Sequence, residues 1–325
     1  MSTIQRRTFI SATAGGLALA SLPAWADYPD KPIKLVVPWA TGGSTDAIAR
    51  ALAQRMSETM GQSIVVDNKA GAAGQIGTDF VAKSAPDGYT LTIVELPHAI
   101  APAVVAKLPY DILRDFAPIT LIGTSPLILF TGTGPDSLDY KTFVRKSSQG
   151  LPPAIAHSGS GSVSHLAGEM FAARTKIKFN MVPYRGSAPA LIDVASGQVG
   201  AHFATLASGA ALLSAGKIKA LAVTSSKRMD VPSLRGLPTL GELGMKDMVI
   251  NQWWALVAPA TTALAVLEKL RIESIGAMAS PNVQTRMNTL GIDLKGSTRD
   301  ELRGFMRSES SRWQAVAVAT GLKPQ

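Results

Sequence analysis

The feature that most limits the folds open to this chain is an alternation of short aliphatic runs with helical patterns over most of its length. The runs are "IKLVV" (33–37), "SIVVD" (63–67), "TLTIV" (90–94), "APITLIG" (117–123) and "LILFT" (127–131). They continue as "AIAH" (154–157), "MVPY" (181–184), "VGAHF" (199–203) and "KALAVTS" (219–225). Between the first two, Ile48, Leu52, Met56 and Met60 recur every four residues, one stripe of an amphipathic helix. Ser44 or Thr45 is placed to cap that helix, and Gly61 to stop it. Strands alternating with helices predict an α/β fold of parallel crossover units. From about Thr262 the pattern turns mostly helical, and Thr298 followed by Glu301 is a capping-box signature for the last helix.

Residues 1–26 read as an address, not as fold. Arg6 and Arg7 precede an apolar stretch from Phe9 to Leu22, and Ala24-Trp25-Ala26 has the small-x-small pattern of a cleavage site. "QRRTFI" matches the twin-arginine export pattern; an ordinary secretory signal with Arg-Arg at its basic end is the alternative. By either route the protein is expected to be exported, with cleavage after Ala26. No later segment has the ~18 uncharged apolar residues that a membrane-spanning helix needs.

The formal charge is +9, and +7 once Arg6 and Arg7 leave, a balance suited to an anionic ligand or an acidic surface. Because the basic residues are scattered, without aromatic interleaving, nucleic acid is not expected as a partner. The absence of cysteine excludes disulfides, thiolate chemistry and Cys-based metal sites. The four histidines (His98, His157, His165 and His202) show no metal-ligand spacing, so no metal is expected.

A serine hydrolase would need a nucleophile, a base and an orienting acid. "HSGSGSVSH" (157–165) is rich in serine but contains no Gly-x-Ser-x-Gly, and adjacent Ser164 and His165 would not face each other on a helix. Nucleotide binding fails on motif: "GAAGQIG" (71–77) lacks the dinucleotide spacing and "TGGSTD" (41–46) lacks the P-loop lysine. What remains is one arrangement used twice. "TGGSTD" and "SGSGSVSH" each follow a strand and open a helix. A helix start offers unpaired N–H groups and about half a positive charge, and glycine lets a carboxylate approach them. Loops at the carboxyl ends of strands face the ligand crevice of an open α/β sheet. Two such loops would form opposing jaws for a small acid; the alternative is a pair of tight strand-to-helix turns with no ligand role.

An ordered series of longer motifs runs through the chain: "YPDKPIKLVVPWATGGSTDAIARALAQRM", "VVDNKAGAAGQIGTDFVAKSAPDGYTL", "LPYDILRDFAPITLIG", "SGSGSVSHLAGEMF", "MVPYRGSAPALIDVASGQV", "GKIKALAVTSSKR" and "LPTLGELG". From about Tyr28 to the C-terminus the chain closely resembles the extracytoplasmic solute receptors of tripartite tricarboxylate transporters, the Bug or TctC-like family. The resemblance implies a type II periplasmic binding protein, two α/β domains with a hinge and a ligand cleft between them. With crossings near Ser125 and Ser225, it places one domain at 27–124 plus 226–325 and the other at 125–225. It further implies a monomer without cofactor or catalysis that captures a small carboxylate and delivers it to membrane permease subunits. Presentation of the bound acid to a membrane sensor kinase is the second reading.

Carried over by position, the first jaw is Thr41, Gly42, Gly43, Ser44, Thr45 and Asp46, joined by Ala72, Ala73 and Gly74 and by Pro97 and His98. Opposite stand Ser158, Gly159, Ser160, Gly161, Ser164 and His165, then Tyr184, Arg185 and Gly186, with Thr205 beyond. Asp46 also reads as a first-turn acid favoured by the helix dipole, and Arg185 as a solvated rim charge. The chain departs from the family pattern twice. Ala204-Thr205 stands where the family often has an acidic residue and Asn, which predicts a ligand without an amine. "VELPH" (94–98) replaces a loop of small residues; a charged Glu95 in the cleft would repel a carboxylate, so its side chain is expected to point away.

Overall fold

The computed structural model describes residues 28–134, 139–150 and 153–320. The signal-peptide reading of 1–26 lies outside them. The first half of the chain runs β1 (Ile33–Val37), α1 (Ser44–Met60), β2 (Ile64–Asn68), α2 (Gln75–Ala82), β3 (Thr90–Glu95), α3 (Leu96–Val104) and β4 (Phe116–Pro126). A second set follows: β5 (Ile128–Thr131), α4 (Tyr140–Gln149), β6 (Ala154–His157), α5 (Val163–Thr175), β7 (Asn180–Pro183), α6 (Ser187–Ser196), β8 (Ala201–Ala204), α7 (Leu206–Ser214) and β9 (Lys219–Val223). The chain ends with β10 (Asn251–Pro259), α8 (Leu264–Ala279), α9 (Pro281–Thr289), β11 (Asp293–Leu294) and α10 (Arg299–Thr320).

All the aliphatic runs quoted above form strands, and they sort into two sheets. One has the order β11-β4-β10-β3-β1-β2 and the other β7-β6-β8-β5-β9. The expected parallel crossovers are present at β1, β2 and β3 and at β6, β7 and β8. The crossover pattern does not foresee the antiparallel strands: β10 between β3 and β4 and β11 on the outer side of β4 in the first sheet, and β5 between β8 and β9 in the second. β10 reads "NQWWALVAP" and is buried along nearly its whole length, as a strand covered on both faces must be.

Local signals behave as their chemistry dictates. Ile48, Leu52 and Met56 are buried against the first sheet, and Gly61 ends α1 in a left-handed conformation (φ 69°). Thr298 and Glu301 exchange hydrogen bonds at the start of α10, 2.8 Å from the Thr298 amide and 3.2 Å from the Glu301 amide. The start of α1 differs from expectation. Its N-cap is Gly43, without a side-chain cap, because the Thr45 hydroxyl is drawn inward to Glu95 and Trp254.

The chain leaves the first sheet through Leu127 and re-enters it at Asn251. Between Thr224 and Ile250 it stays beside the second sheet, where Val223 pairs with Thr239. Both passages meet at one buried side chain. Thr224 Oγ1 accepts from the Leu127 amide at 2.8 Å and lies 2.6 Å from the Ile250 carbonyl, to which it donates. The backbone bonds Thr224 N–H to Leu127 O (2.9 Å) and Ile250 N–H to Thr224 O (3.2 Å) complete the joint. Replacing Thr224 by Val keeps the shape but leaves the Leu127 amide unpaired in a dry environment, a loss of about 1–3 kcal/mol. Urea unfolding of Thr224→Val should show an unfolding free energy lower by that amount, seen as a lower midpoint with an unchanged slope.

Candidate functional site

The carboxyl ends of β1, β6, β7 and β8 carry the starts of α1, α5, α6 and α7, and all four starts line one cleft between the sheets. The cleft has about 510 Å³ of unfilled space, mouth included. Its polar wall is built from Gly43, Ser44 and Thr45 on one side and from Ser158, Ser164, Gly186 and Thr205 on the other. Trp39, Pro97, Leu127 and Phe203 supply an apolar wall. The starts of α1, α6 and α7 have no side-chain cap, so their first amides are unclaimed by their own side chains. The start of α5 is capped by Ser162, which accepts from the His165 amide at 3.2 Å. No lysine or arginine lines this inner cleft among the described residues.

The two sides nearly touch. The Ser44 amide donates to Ser208 Oγ on α7 at 3.3 Å. A Cβ on Gly186 would sit 3.7 Å from the Ala40 Cβ, and one on Gly42 the same distance from the Ala188 Cβ. Both glycines hold left-handed conformations (φ 129° and 90°), so each turn needs glycine for its backbone as well as for the close approach.

Serine-rich chemistry in "SGSGSVSH" is spent internally. Ser158 Oγ bonds Ser187 Oγ at 2.8 Å, Ser164 Oγ accepts from the Ser158 amide at 2.9 Å, and Ser162 Oγ lies 3.0 Å from Ser164 Oγ. His165 Nδ1 accepts from the Gly161 amide at 3.3 Å, and its ring packs on His157 with centroids 4.4 Å apart. Among the described residues its ring makes no hydrogen bond to a serine hydroxyl, as a base would have to.

The remaining residues singled out from sequence fall into three groups. Ala72, Ala73, Gly159, Ser160, Tyr184 and Arg185 gather at a separate depression on the mouth of the cleft, where Arg185 is exposed. Thr41 and Gly42 are exposed at the loop tip, and Gly161 is half-buried beside the histidine pair. Asp46, Gly74 and His98 are buried behind the lining. Asp46 accepts from the Gly42 amide (3.1 Å), Arg50 Nε (3.0 Å) and Asn68 Nδ2 (3.0 Å), so it braces the glycine loop from within. Burial raises its pKa, but the bonds from Arg50, Gly42 and Asn68 outweigh that and hold the carboxyl below its ordinary value. His98 accepts the Glu95 amide on Nδ1 (3.0 Å) and bonds Thr78 Oγ1 through Nε2 (2.8 Å). Burial lowers its pKa to about 4, which keeps it neutral.

Glu95 is a correction to the sequence reading, because its side chain lines the cleft. Oε1 accepts from Thr45 Oγ1 at 3.1 Å, and Oε2 accepts from Gln252 Nε2 on β10. Only 3% of the residue is exposed, and burial pushes the carboxyl up to about 8 against the pull of its hydrogen bonds. A neutral carboxyl can sit beside an anion site, which removes the repulsion that motivated the opposite expectation. Gln252 and Ser208 escaped sequence reading altogether. Each is a single polar residue outside any glycine-rich motif, brought to the cleft by β10 and α7.

These groups set the pH response of the fold. Glu95 binds a proton in the folded state that the unfolded chain releases above about 4.5, so stability falls as pH rises from there to about 8. His98, His157 and His202, lowered by burial to about 4 from 6.5, act oppositely: stability falls as pH drops from 6.5 towards 4. Calorimetry should find Glu95→Gln melting above the unaltered protein at pH 9 and level with it at pH 4.

Comparison with known proteins returns one family description. Residues 48–322 match the model of the tripartite tricarboxylate transporter family receptor. Protein BugT of Bordetella pertussis is 38% identical over 317 residues, covering 96% of this chain and 95% of BugT. The structure of periplasmic binding protein BugD superposes with a TM-score of 0.87 at 32% identity, covering 92% of this chain and 100% of BugD. Rpa4515 of R. palustris, solved with adipate, gives 0.87 at 33% identity with 92% and 100% coverage.

Proposed function

The chain belongs to the tripartite tricarboxylate transporter receptor family, whose members are periplasmic solute-binding proteins and not enzymes, and on that premise we propose that it captures a small organic acid and hands it to a membrane permease. One observation carries the reading: three uncapped helix starts line a single cleft that has hydroxyls but no cationic side chain. Each start offers directed N–H donors and about half a positive charge, enough to hold a carboxylate without a salt bridge. The head carboxylate sits between the α1 start and the α6 and α7 starts, bridging the two sheets. A ligand held by both sides favours the closed arrangement over an open one, and the joint at Leu127, Thr224 and Ile250 is the hinge. We assign residues 226–250 to the second domain, since Val223 pairs with Thr239 before the chain returns to the first sheet. Residues 1–26 serve as the export signal.

A ligand without an amine fits Ala204 and Thr205, which offer no charge to an ammonium group. Adipate in Rpa4515 is an acid of this class. Native mass spectrometry of the co-purifying compound, followed by calorimetry with small carboxylates, tests the reading directly. Tight binding of aspartate or glutamate would overturn the preference against amines.

Gly43 supplies the local test. It has an ordinary negative φ (−79°), and an added Cβ would meet only the Ala40 carbonyl oxygen at 3.8 Å. Gly43→Val should therefore fold while its isopropyl group intrudes on the head-group position. Affinity for the bound acid should drop at least about tenfold, about 1.4 kcal/mol or more. Unaltered affinity with an unaltered melting midpoint would remove the α1 start from the site.

A further inference from the structure

The helix starts account for one end of a ligand; a second polar group of the cleft is left without a task. Gln252 is 4% exposed and lines the cleft, and its Oε1 has no hydrogen-bond partner among the described residues. Its other amide end is engaged by Glu95, which lines the same cleft and meets no cationic side chain. Both residues lie on the first-sheet side, at the end of β3 and the start of β10, where Gln252 and Trp254 share a strand face. We propose that Glu95 and Gln252 form a specificity seat for the second acidic group of a dicarboxylate, which binds there together with one proton on Glu95. This rests on the reading above that the head carboxylate is held at the helix starts.

The chemistry follows from the amide. While Glu95 is an anion, Gln252 Nε2–H donates to it and the unpaired Oε1 is an acceptor, so the pair repels a carboxylate. Once Glu95 carries a proton, Oε2–H donates to Gln252 Oε1 instead. The amide then turns over, and its NH₂ takes the place of the unpaired oxygen. An acceptor has become a pair of donors without any movement of the backbone. The proton enters from solvent and stays on Glu95; no covalent bond to the ligand forms or breaks.

Burial already favours the neutral form of Glu95, so this arrangement is accessible near neutral pH. Other titratable groups around it do not compete. The His98 ring on α3 bonds the Glu95 backbone amide and Thr78 Oγ1, and stays neutral. Asp46 and Arg50 on α1 are paired with each other. β10 brings Gln252 and Trp254, neither of which titrates. Across the cleft, His157 and His165 pack together outside the lining, both lowered by burial.

The test is calorimetric titration of the protein, from pH 6.5 to 9.5, with straight-chain dicarboxylates from malonate to suberate. Monocarboxylates of matching length, terephthalate, benzoate and glutamate complete the set. The tightest dicarboxylate should lose affinity above about pH 8, approaching tenfold per pH unit, while its matched monocarboxylate stays flat. Titration at pH 9 in two buffers of different ionisation enthalpy should count an uptake approaching one proton per dicarboxylate, a measurement that needs no variant. Glu95→Gln should bind the dicarboxylate with no slope. Flat dicarboxylate affinity, exclusion of every dicarboxylate while monocarboxylates bind, or glutamate binding that strengthens above pH 8 overturns the seat and leaves the helix-start reading standing. If none of these acids binds, the head-group reading fails and the seat fails with it.

Discussion

The hydroxyl of Thr224 is the contact on which the relative placement of everything else depends. The chain passes between its two sheets once through Leu127 and once at Ile250, and Thr224 bonds both passages at the same point. The buried groups there have no water to turn to, so breaking the joint would leave them unpaired. The starts of α1 on one side and of α6 and α7 on the other face each other because their parent strands end at the cleft above this joint. Moving the joint by a residue would move the jaws relative to one another.

In the proposed reading, holding an anion with amides instead of side-chain cations has a consequence for selectivity. Backbone N–H groups at helix starts are fixed in direction and lose no rotamer freedom when a ligand arrives. They recognise a carboxylate and are indifferent to what is attached to it. Discrimination must therefore come from the remainder of the cleft, where Trp39, Pro97, Leu127 and Phe203 provide apolar surface and Glu95 and Gln252 the polar groups beyond the serine and threonine hydroxyls. Arg185 stays at the mouth, exposed and outside the inner lining.

The strands, the first helix and the last capping box were legible because each depends on neighbours within a few residues. β10 was missed: its apolar run has no period, and its place between β3 and β4 is set by pairing with strands more than a hundred residues earlier. Asp46 illustrates the same limit at the site. Its position invited a ligand role, yet Arg50, Asn68 and the Gly42 amide occupy its oxygens. Glu95 shows the converse, since a charged residue was expected to avoid an anion cleft and burial removes the premise.

Sequence by itself determined the alternation that makes two α/β sheets, the glycine turns that open helices at strand ends, and the family to which those motifs belong. These are matters of short-range sterics, hydrogen-bond supply and hydrophobic period. Only the tertiary structure decided which of the loop residues share one cleft, that His98 and Asp46 stand behind it, and that Gln252 and Ser208 join it. Such groupings arise from the packing of segments distant in sequence, and so does the dry surrounding that sets the charge of Glu95.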